Sequence, residues 1–292
     1  MDKKLIAIVG PTAVGKSAVA MELAERWRTE IISADSRQIF KEMEIGTAKP
    51  SAEELRRVRH HFINVKSIEE HYDAGQYGRD ALELINQLFV KFDRLILCGG
   101  SGLYMKALLE GFDVMPEIAE GVREAIIDEY RAKGLNWLQK EVEKVDPEYF
   151  SEVDAKNPQR LMRALELYRA SGKPLSALRK KQKKELPFEV VKIGLELPRE
   201  ELYQRIDKRM DAMIVQGLFD EAAKLYDRKE LNALQTVGYQ EIFGFMDGQY
   251  DREEAVRLLK RNSRHYAKRQ LTWFKKDREI EWCRAGEVIE KF

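Results

Sequence analysis

The sequence predicts an α/β fold, a parallel sheet core flanked by helices and interrupted by an all-helical insertion domain. Three observations carry this expectation. Residues 5–9 and 94–98 are short, unbroken apolar runs of the kind that form strands buried on both faces. Helical spacing follows such runs, as with Val19, Leu23 and Trp27 within residues 16–28. From residue 117 to 184 no convincing strand occurs, and helical patterns are punctuated by Gly134, Pro147, Pro158 and Pro174.

Taken in order, residues 5–9 form a first strand, 10–15 a loop and 16–28 a helix. Residues 30–34 form a second strand that ends at Asp35-Ser36, and residues 61–65 a third. A helix over 74–92 leads to the strand at 94–98, which Gly99-Gly100 breaks sharply. Residues 190–197 (VVKIGLEL) return to the sheet, and Pro198-Arg199 opens a helix. Helical patterns continue to Lys276, and residues 280–283 can rejoin the sheet. The core is therefore expected over 1–113 and 190–292, split by an insertion over 114–189. A chain of 292 residues suits one main domain with a smaller second one.

Hydrophobic residues make up 44% and charged residues 35%, the balance of a globular chain rich in exposed helix. No apolar run is long enough to cross a bilayer, and no signal peptide is evident. Two cysteines, Cys98 and Cys283, exclude a disulfide framework and fit a reducing, cytoplasmic setting. The net charge of +1 conceals clustering. Residues 156–184 hold ten Lys/Arg and one acid, Glu166; residues 257–278 hold nine and one acid, Asp277. Arg257, Lys260, Arg261, Arg264 and Lys268 recur at helical spacing, a positive face nearly without acids on which a phosphate backbone can rest.

Gly10-Pro11-Thr12-Ala13-Val14-Gly15-Lys16-Ser17 fits the phosphate-loop pattern G-x-x-x-x-G-K-[ST] between a strand and a helix, which makes the core P-loop-type. Glycines let successive backbone N–H groups point at phosphate oxygens, Lys16 adds a point charge, and the Ser17 hydroxyl can ligate Mg²⁺. Nucleotide hydrolases hold Mg²⁺ with a second acid at a buried strand's end. Here the strand at 94–98 ends in Cys98-Gly99-Gly100-Ser101, and Asp93 stands at its opposite end. Asp35 is the nearest strand-end acid, and Ser17, Asp35 and Ser101 are expected to converge on one crevice. Asp35 has two readings, a cap for the following turn or a base that takes a proton from a nucleophile.

With that loop go Asp35-Ser36-Arg37-Gln38, Gly46-Thr47-Ala48-Lys49-Pro50, His60-His61 and Gly99-Gly100-Ser101-Gly102-Leu103-Tyr104. Asn157-Pro158-Gln159-Arg160, Arg163-Ala164-Leu165-Glu166, Gly238-Tyr239, Ala267-Lys268-Arg269-Gln270 and Thr272-Trp273-Phe274 follow. In this order, over nearly the whole chain, they resemble the bacterial tRNA dimethylallyltransferases. The resemblance implies transfer of a dimethylallyl group from dimethylallyl diphosphate to N6 of the adenine 3′ to the anticodon. It implies that the phosphate loop holds the donor's diphosphate with Mg²⁺, that Asp35 is the general base, and that Arg209 neutralises the leaving pyrophosphate. Ser101 stands where the family usually has Thr, touching the diphosphate and the target base region. Asp35, Ser36, Arg37, Gln38, Ser101 and Arg123 fall at tRNA-contacting positions, as do Gln159, Arg160, Leu161, Met162 and Arg163. Arg264 and Lys268 join them from the basic face.

A monomer that engages the anticodon stem-loop, with no membrane partner, is the expectation. Among weaker candidates, His60 and His61 read as loop-end hydrogen-bonding groups, Trp273 and Phe274 as core residues, and Tyr104 as a pocket or packing residue. Two rivals are a small-molecule kinase, in which Asp35 would deprotonate an alcohol, and a non-catalytic RNA-binding module. Free adenine nucleotides are an alternative acceptor.

Overall fold

The computed structural model describes residues 3–113, 115–179 and 185–292. Its core contains β1 (Lys4–Val9), α1 (Lys16–Trp27), β2 (Ile31–Ser33), α2 (Ala52–Arg57), β3 (His60–His61), α3 (Ala74–Leu88), β4 (Arg94–Cys98) and α4 (Gly102–Leu109). A helical unit supplies α5 (Val122–Val145), α6 (Pro147–Glu152), α7 (Pro158–Ser171) and α8 (Leu175–Leu178). The core resumes with β5 (Glu189–Leu195), α9 (Arg199–Val215), α10 (Leu218–Leu225), α11 (Tyr239–Met246), α12 (Arg252–Phe274), β6 (Glu281–Cys283) and α13 (Ala285–Lys291).

All strand pairs are parallel, in the order β3-β2-β4-β1-β5-β6. Strand β1 is central: Ala7 lies opposite Leu97 on β4 and Lys192 on β5. Its side chains alternate between two buried layers, which is why the run carries no polar residue after Lys4. Ile6 and Ile8 pack with Val19 and Leu23 of α1 and with residues of α9 to α12. Leu5, Ala7 and Val9 pack with Tyr77, Ala81 and Ile85 of α3 and with Tyr104 of α4.

Three elements differ from expectation, among them the terminal helix α13, which was not expected. The strand expected over 61–65 stops at His61, because Phe62 (φ 62°) and Asn64 (φ 56°) take left-handed backbone that a strand cannot. Helix α2 was not anticipated, although Ser51 and Glu54 form a capping box around its start, a recognisable sequence signal.

The chain divides into Met1–Leu109 with Glu185–Phe292, and Glu110–Lys184. The second division comes earlier than residue 189 because Phe188 packs against Phe89 of the core, ring centroids 5.0 Å apart. Within the helical unit, Ile126, Leu138, Val142, Leu161 and Leu165 form a separate core. Pro147 and Pro158 sit in the first turns of α6 and α7, where no backbone N–H is needed. Gly134 (φ 76°) kinks α5. The buried Asp146 ties the ends together: it caps α6 through the Tyr149 N–H at 3.0 Å and accepts the Ser176 hydroxyl at 2.6 Å. No described helix is long and apolar enough to cross a membrane.

At the sheet's carboxyl edge, Gly99 lies so close to β2 that a Cβ there would sit 2.1 Å from the Ala34 carbonyl oxygen. Backbone cannot yield as a side-chain tip can. Gly99→Ala is expected to destabilise the protein by about 3 kcal/mol or more, measured by urea denaturation; a loss below about 1 kcal/mol would mean that the two strand ends can separate.

Candidate active site

The carboxyl ends of β1, β2 and β4 are woven by backbone hydrogen bonds. The Gly99 N–H donates to Ile8 at 3.2 Å, the Ala34 N–H to Cys98 at 2.8 Å, and the Ser101 N–H to Ala34 at 3.2 Å. This places the phosphate loop beside the 35–38 turn. Thr12, Lys16, Ser17, Asp35, Arg37, Gly100 and Arg209 line a cavity of about 210 Å³ there. Gly10 (φ 138°), Ala13 (φ 64°) and Gly15 (φ 107°) give the loop its left-handed turns.

Lys16 reaches across the loop and donates to the Pro11 carbonyl at 2.7 Å. Burial lowers its ammonium pKa from 10.5 to about 8; Arg209 lowers it further, while Asp35 opposes. Arg209, arriving from α9, donates through Nη1 to Thr12 Oγ1 at 3.2 Å, and burial lowers its pKa also. The Cys98 thiol is pushed up to about 11 by burial and so stays neutral.

Asp35 is the one carboxylate among the described residues that line the cavity. Its Oδ1 accepts the N–H groups of Arg37 at 2.9 Å and Gln38 at 3.3 Å. These are its only hydrogen bonds among the described residues, so Oδ2 is available to an incoming group. Cap and base are therefore compatible roles, one for each oxygen. The Arg37 guanidinium donates to the Asn232 carbonyl at 3.0 Å, and burial lowers its pKa.

Ser101 does not line the cavity. Its Oγ accepts the Ser36 N–H at 2.9 Å and donates to Ser36 Oγ at 3.1 Å, so it braces the Asp35-Ser36 turn. Gln38 donates to the carbonyls of Thr47 and Ala48 at 3.2 and 3.1 Å, which joins this turn to the Gly46–Pro50 segment. That segment is fixed from far along the chain. The Glu221 carboxylate, on α10, accepts the N–H groups of Glu44, Ile45 and Gly46 at 3.1, 2.7 and 2.9 Å, and the Tyr239 hydroxyl at 2.6 Å. Nothing in the sequence around Glu221 signals this. Gln270 and Tyr266 are further site residues that carried no expected role, although Gln270 lies in a quoted motif; both line the cavity.

The chain as a whole is similar to known proteins. A family model described as IPP transferase matches residues 38–277. The chain belongs to the IPP transferase family. A tRNA dimethylallyltransferase of Cytophaga hutchinsonii is 53% identical over 290 residues, which cover 99% of this chain and 95% of that relative. Among solved structures, the full-length tRNA isopentenylpyrophosphate transferase of Bacillus halodurans is similar at 37% identity and TM-score 0.73, covering 99% of this chain and 94% of that one. A eukaryotic dimethylallyltransferase acting on tRNA is similar at 25% identity and TM-score 0.78, covering 97% of this chain and 74% of that one.

The other candidates of this IPP transferase are distributed as follows. In the helical unit, Gln159, Arg160 and Arg163 are exposed on α7 and Met162 is half-buried. Leu161, expected to touch tRNA, is wholly buried in that unit's core, because its position on α7 turns inward. Arg123 and Arg163 flank the buried Glu166 at 3.8 and 3.3 Å. The basic face of α12 is not acid-poor as expected: Asp211 pairs with Lys260 at 2.6 Å and Asp207 with Arg264 at 2.6 Å, both acids coming from α9. Lys268 is exposed and makes no ion pair among the described residues. His60 bonds to the Val58 carbonyl at 2.9 Å and His61 to Glu30 at 2.6 Å, hydrogen-bonding groups as expected, although they form β3 and are not at a loop end. Tyr104 is buried and stacks on Tyr77, centroids 4.1 Å apart. Phe274 is buried, whereas Trp273 is exposed beside Gly102.

Lys16 gives a pH-dependent prediction. Its folded pKa, about 8, is below the ordinary 10.5, so between these values the unfolded chain holds more protons. Its penalty on stability is therefore full below pH 8 and is relieved as pH rises toward 10.5. Lys16→Met is expected to be more stable than the wild type at neutral pH, with an advantage that narrows through that window. Chemical denaturation across the range checks this; an advantage independent of pH would mean that the ammonium is not desolvated.

Proposed function

We propose that this chain transfers a dimethylallyl group from dimethylallyl diphosphate to N6 of the adenine 3′ to the anticodon of tRNA and releases pyrophosphate. The observation that carries this reading is a single carboxylate, Asp35, held beside a cationic phosphate loop. An exocyclic amine is a poor nucleophile until its proton is helped away, and the available Asp35 Oδ2 can accept that proton. The allylic carbon leaves diphosphate when the departing charge is stabilised. Lys16, the loop N–H groups and Arg209 supply that stabilisation from fixed positions. The anion also favours the charged form of Lys16, so donor binding restores an ammonium that burial had weakened.

Mg²⁺ fits as a companion of the diphosphate. No cluster of three His, Cys, Asp or Glu able to hold a metal occurs among the described residues. Ser17, exposed at the start of α1, would be its protein ligand, with phosphate oxygens and waters completing the shell. Bound there, the ion would supply further charge neutralisation for the leaving group. The absence of an acid at the carboxyl end of β4 counts against an ATPase motor, Asp93 at the other end pairing with Lys3 at 2.8 Å, and a small-molecule kinase would leave the basic residues of the helical insertion and of α12 without a role. The target adenine has to leave its stack to enter the cavity. Exposed Gln159, Arg160, Arg163, Arg123 and Lys268 are suited to the flanking RNA. We take the enzyme as a monomer, and two cysteines, too few for a disulfide framework, suit the cytoplasm.

The decisive experiment mixes the protein with dimethylallyl diphosphate, Mg²⁺ and unmodified tRNA and looks for one isoprenoid unit on one adenosine by mass spectrometry. ATP-dependent phosphorylation of a small alcohol instead would overturn the reading. Asp35→Asn keeps the Oδ1 acceptor for the turn but cannot take a proton. It is expected to lower kcat by about a hundredfold or more, with tRNA affinity within about twofold in a filter-binding assay. Lys268→Ala should reduce the salt-dependence slope of tRNA binding by about 1. Arg264→Ala should reduce it less, because Asp207 already neutralises that guanidinium.

A further inference from the structure

Gln270 lies in the last turns of α12, far in sequence from the phosphate loop, and its side chain is 7% exposed. Both ends of its amide are engaged at the site. Oε1 accepts the Thr12 N–H at 2.8 Å, and Nε2 donates to the Gly100 carbonyl at 3.0 Å. Gly100 makes room for this: a Cβ there would lie 2.3 Å from Nε2. Thr12 in turn receives Arg209 on its hydroxyl at 3.2 Å. A continuous chain of contacts therefore runs from Arg209 through Thr12 and Gln270 to the glycine turn after β4. Only an amide side chain of this length offers an acceptor and a donor in one plane to bridge the two backbones.

On the reading of the loop as a diphosphate clamp, we propose that Gln270 is a positioning residue that fastens the mouth of the phosphate loop to the β4 turn. One loop N–H, that of Thr12, is thereby given to the protein and not to the anion. The remaining loop N–H groups, Lys16 and Arg209 are held in a geometry that already suits the diphosphate, so little ordering remains when the donor binds. The tether also joins the anion site to α12, whose exposed Lys268 stands two residues before Gln270.

The test compares the wild type with Gln270→Leu and Gln270→Glu, using calorimetric titration with inorganic pyrophosphate in Mg²⁺, tRNA binding and steady-state kinetics. Gln270→Leu leaves the Thr12 N–H and Gly100 carbonyl unpartnered. It is expected to raise the pyrophosphate Kd and the donor KM about tenfold, with tRNA Kd within about twofold. Gln270→Glu keeps an acceptor for the Thr12 N–H but offers no donor to the Gly100 carbonyl and adds a negative charge beside the anion, so it is expected to bind pyrophosphate at least as weakly as Gln270→Leu, again with tRNA Kd within about twofold. An unchanged pyrophosphate Kd in a folded Gln270→Leu protein overturns the proposal. So does a parallel loss of pyrophosphate and tRNA affinity in both variants, which would mark a merely structural residue. Should Gln270→Leu not fold, amide exchange at Thr12 in the wild type decides. Slow exchange with and without pyrophosphate supports the tether; fast exchange that slows only with pyrophosphate assigns that N–H to the anion and overturns it. A wild type that binds no pyrophosphate at all would instead sink the diphosphate reading itself.

Discussion

Backbone approaches backbone at the carboxyl edge of the sheet, where Gly99 lies against the Ala34 carbonyl and the ends of β1, β2 and β4 exchange hydrogen bonds. The site cannot form without that contact. It sets the distance between the phosphate loop after β1 and the Asp35 turn after β2, and no side chain can be inserted between them. Rigid strand ends place reacting groups more reproducibly than loops alone. The loops are then stiffened by groups from the second half of the core: Arg209 on α9, Glu221 on α10 and Gln270 on α12.

The electrostatics of the cavity are lopsided in a useful way. Lys16, Arg37 and Arg209 surround one carboxylate, and burial makes each cation less comfortable when no anion is bound. A polyanion would relieve all three, which is the charge environment the proposed diphosphate donor needs. Asp35 has one oxygen tied to the turn and the other unengaged by the protein, the arrangement required of a base whose orientation must not wander.

The α12 helix shows how a charge count can mislead. Its cations recur on one face, yet Asp207 and Asp211 of α9 meet two of them. Exposed ion pairs of this kind contribute little to stability, but they remove charge that a phosphate backbone would otherwise feel. Glu254 of α12 itself takes Arg257, and beyond it what remains for RNA on that helix, among the described residues, is Arg261, Lys268 and Arg269, the last two directly before the residue that bonds the phosphate loop.

Local sequence rules were enough to locate most elements. The apolar runs gave β1, β4 and β5, because a strand covered on both faces tolerates almost no polar residue. The glycine-lysine pattern gave the phosphate loop, because close wrapping of an anion demands those residues at that spacing. The helical block was evident from Pro147 and Pro158, each of which opens a helix, and from Gly134, which bends one. Other features had no local signature. The early end of β3 depends on left-handed backbone at Phe62 and Asn64, and the inward turn of Leu161 depends on which face of α7 meets its neighbours. Glu221, Tyr266 and Gln270 join the site from helices more than a hundred residues beyond the phosphate loop. Their roles, like the neutralisation of Lys260 and Arg264, come from side chains meeting across the core, and periodicity along a single helix carries no record of what packs against it.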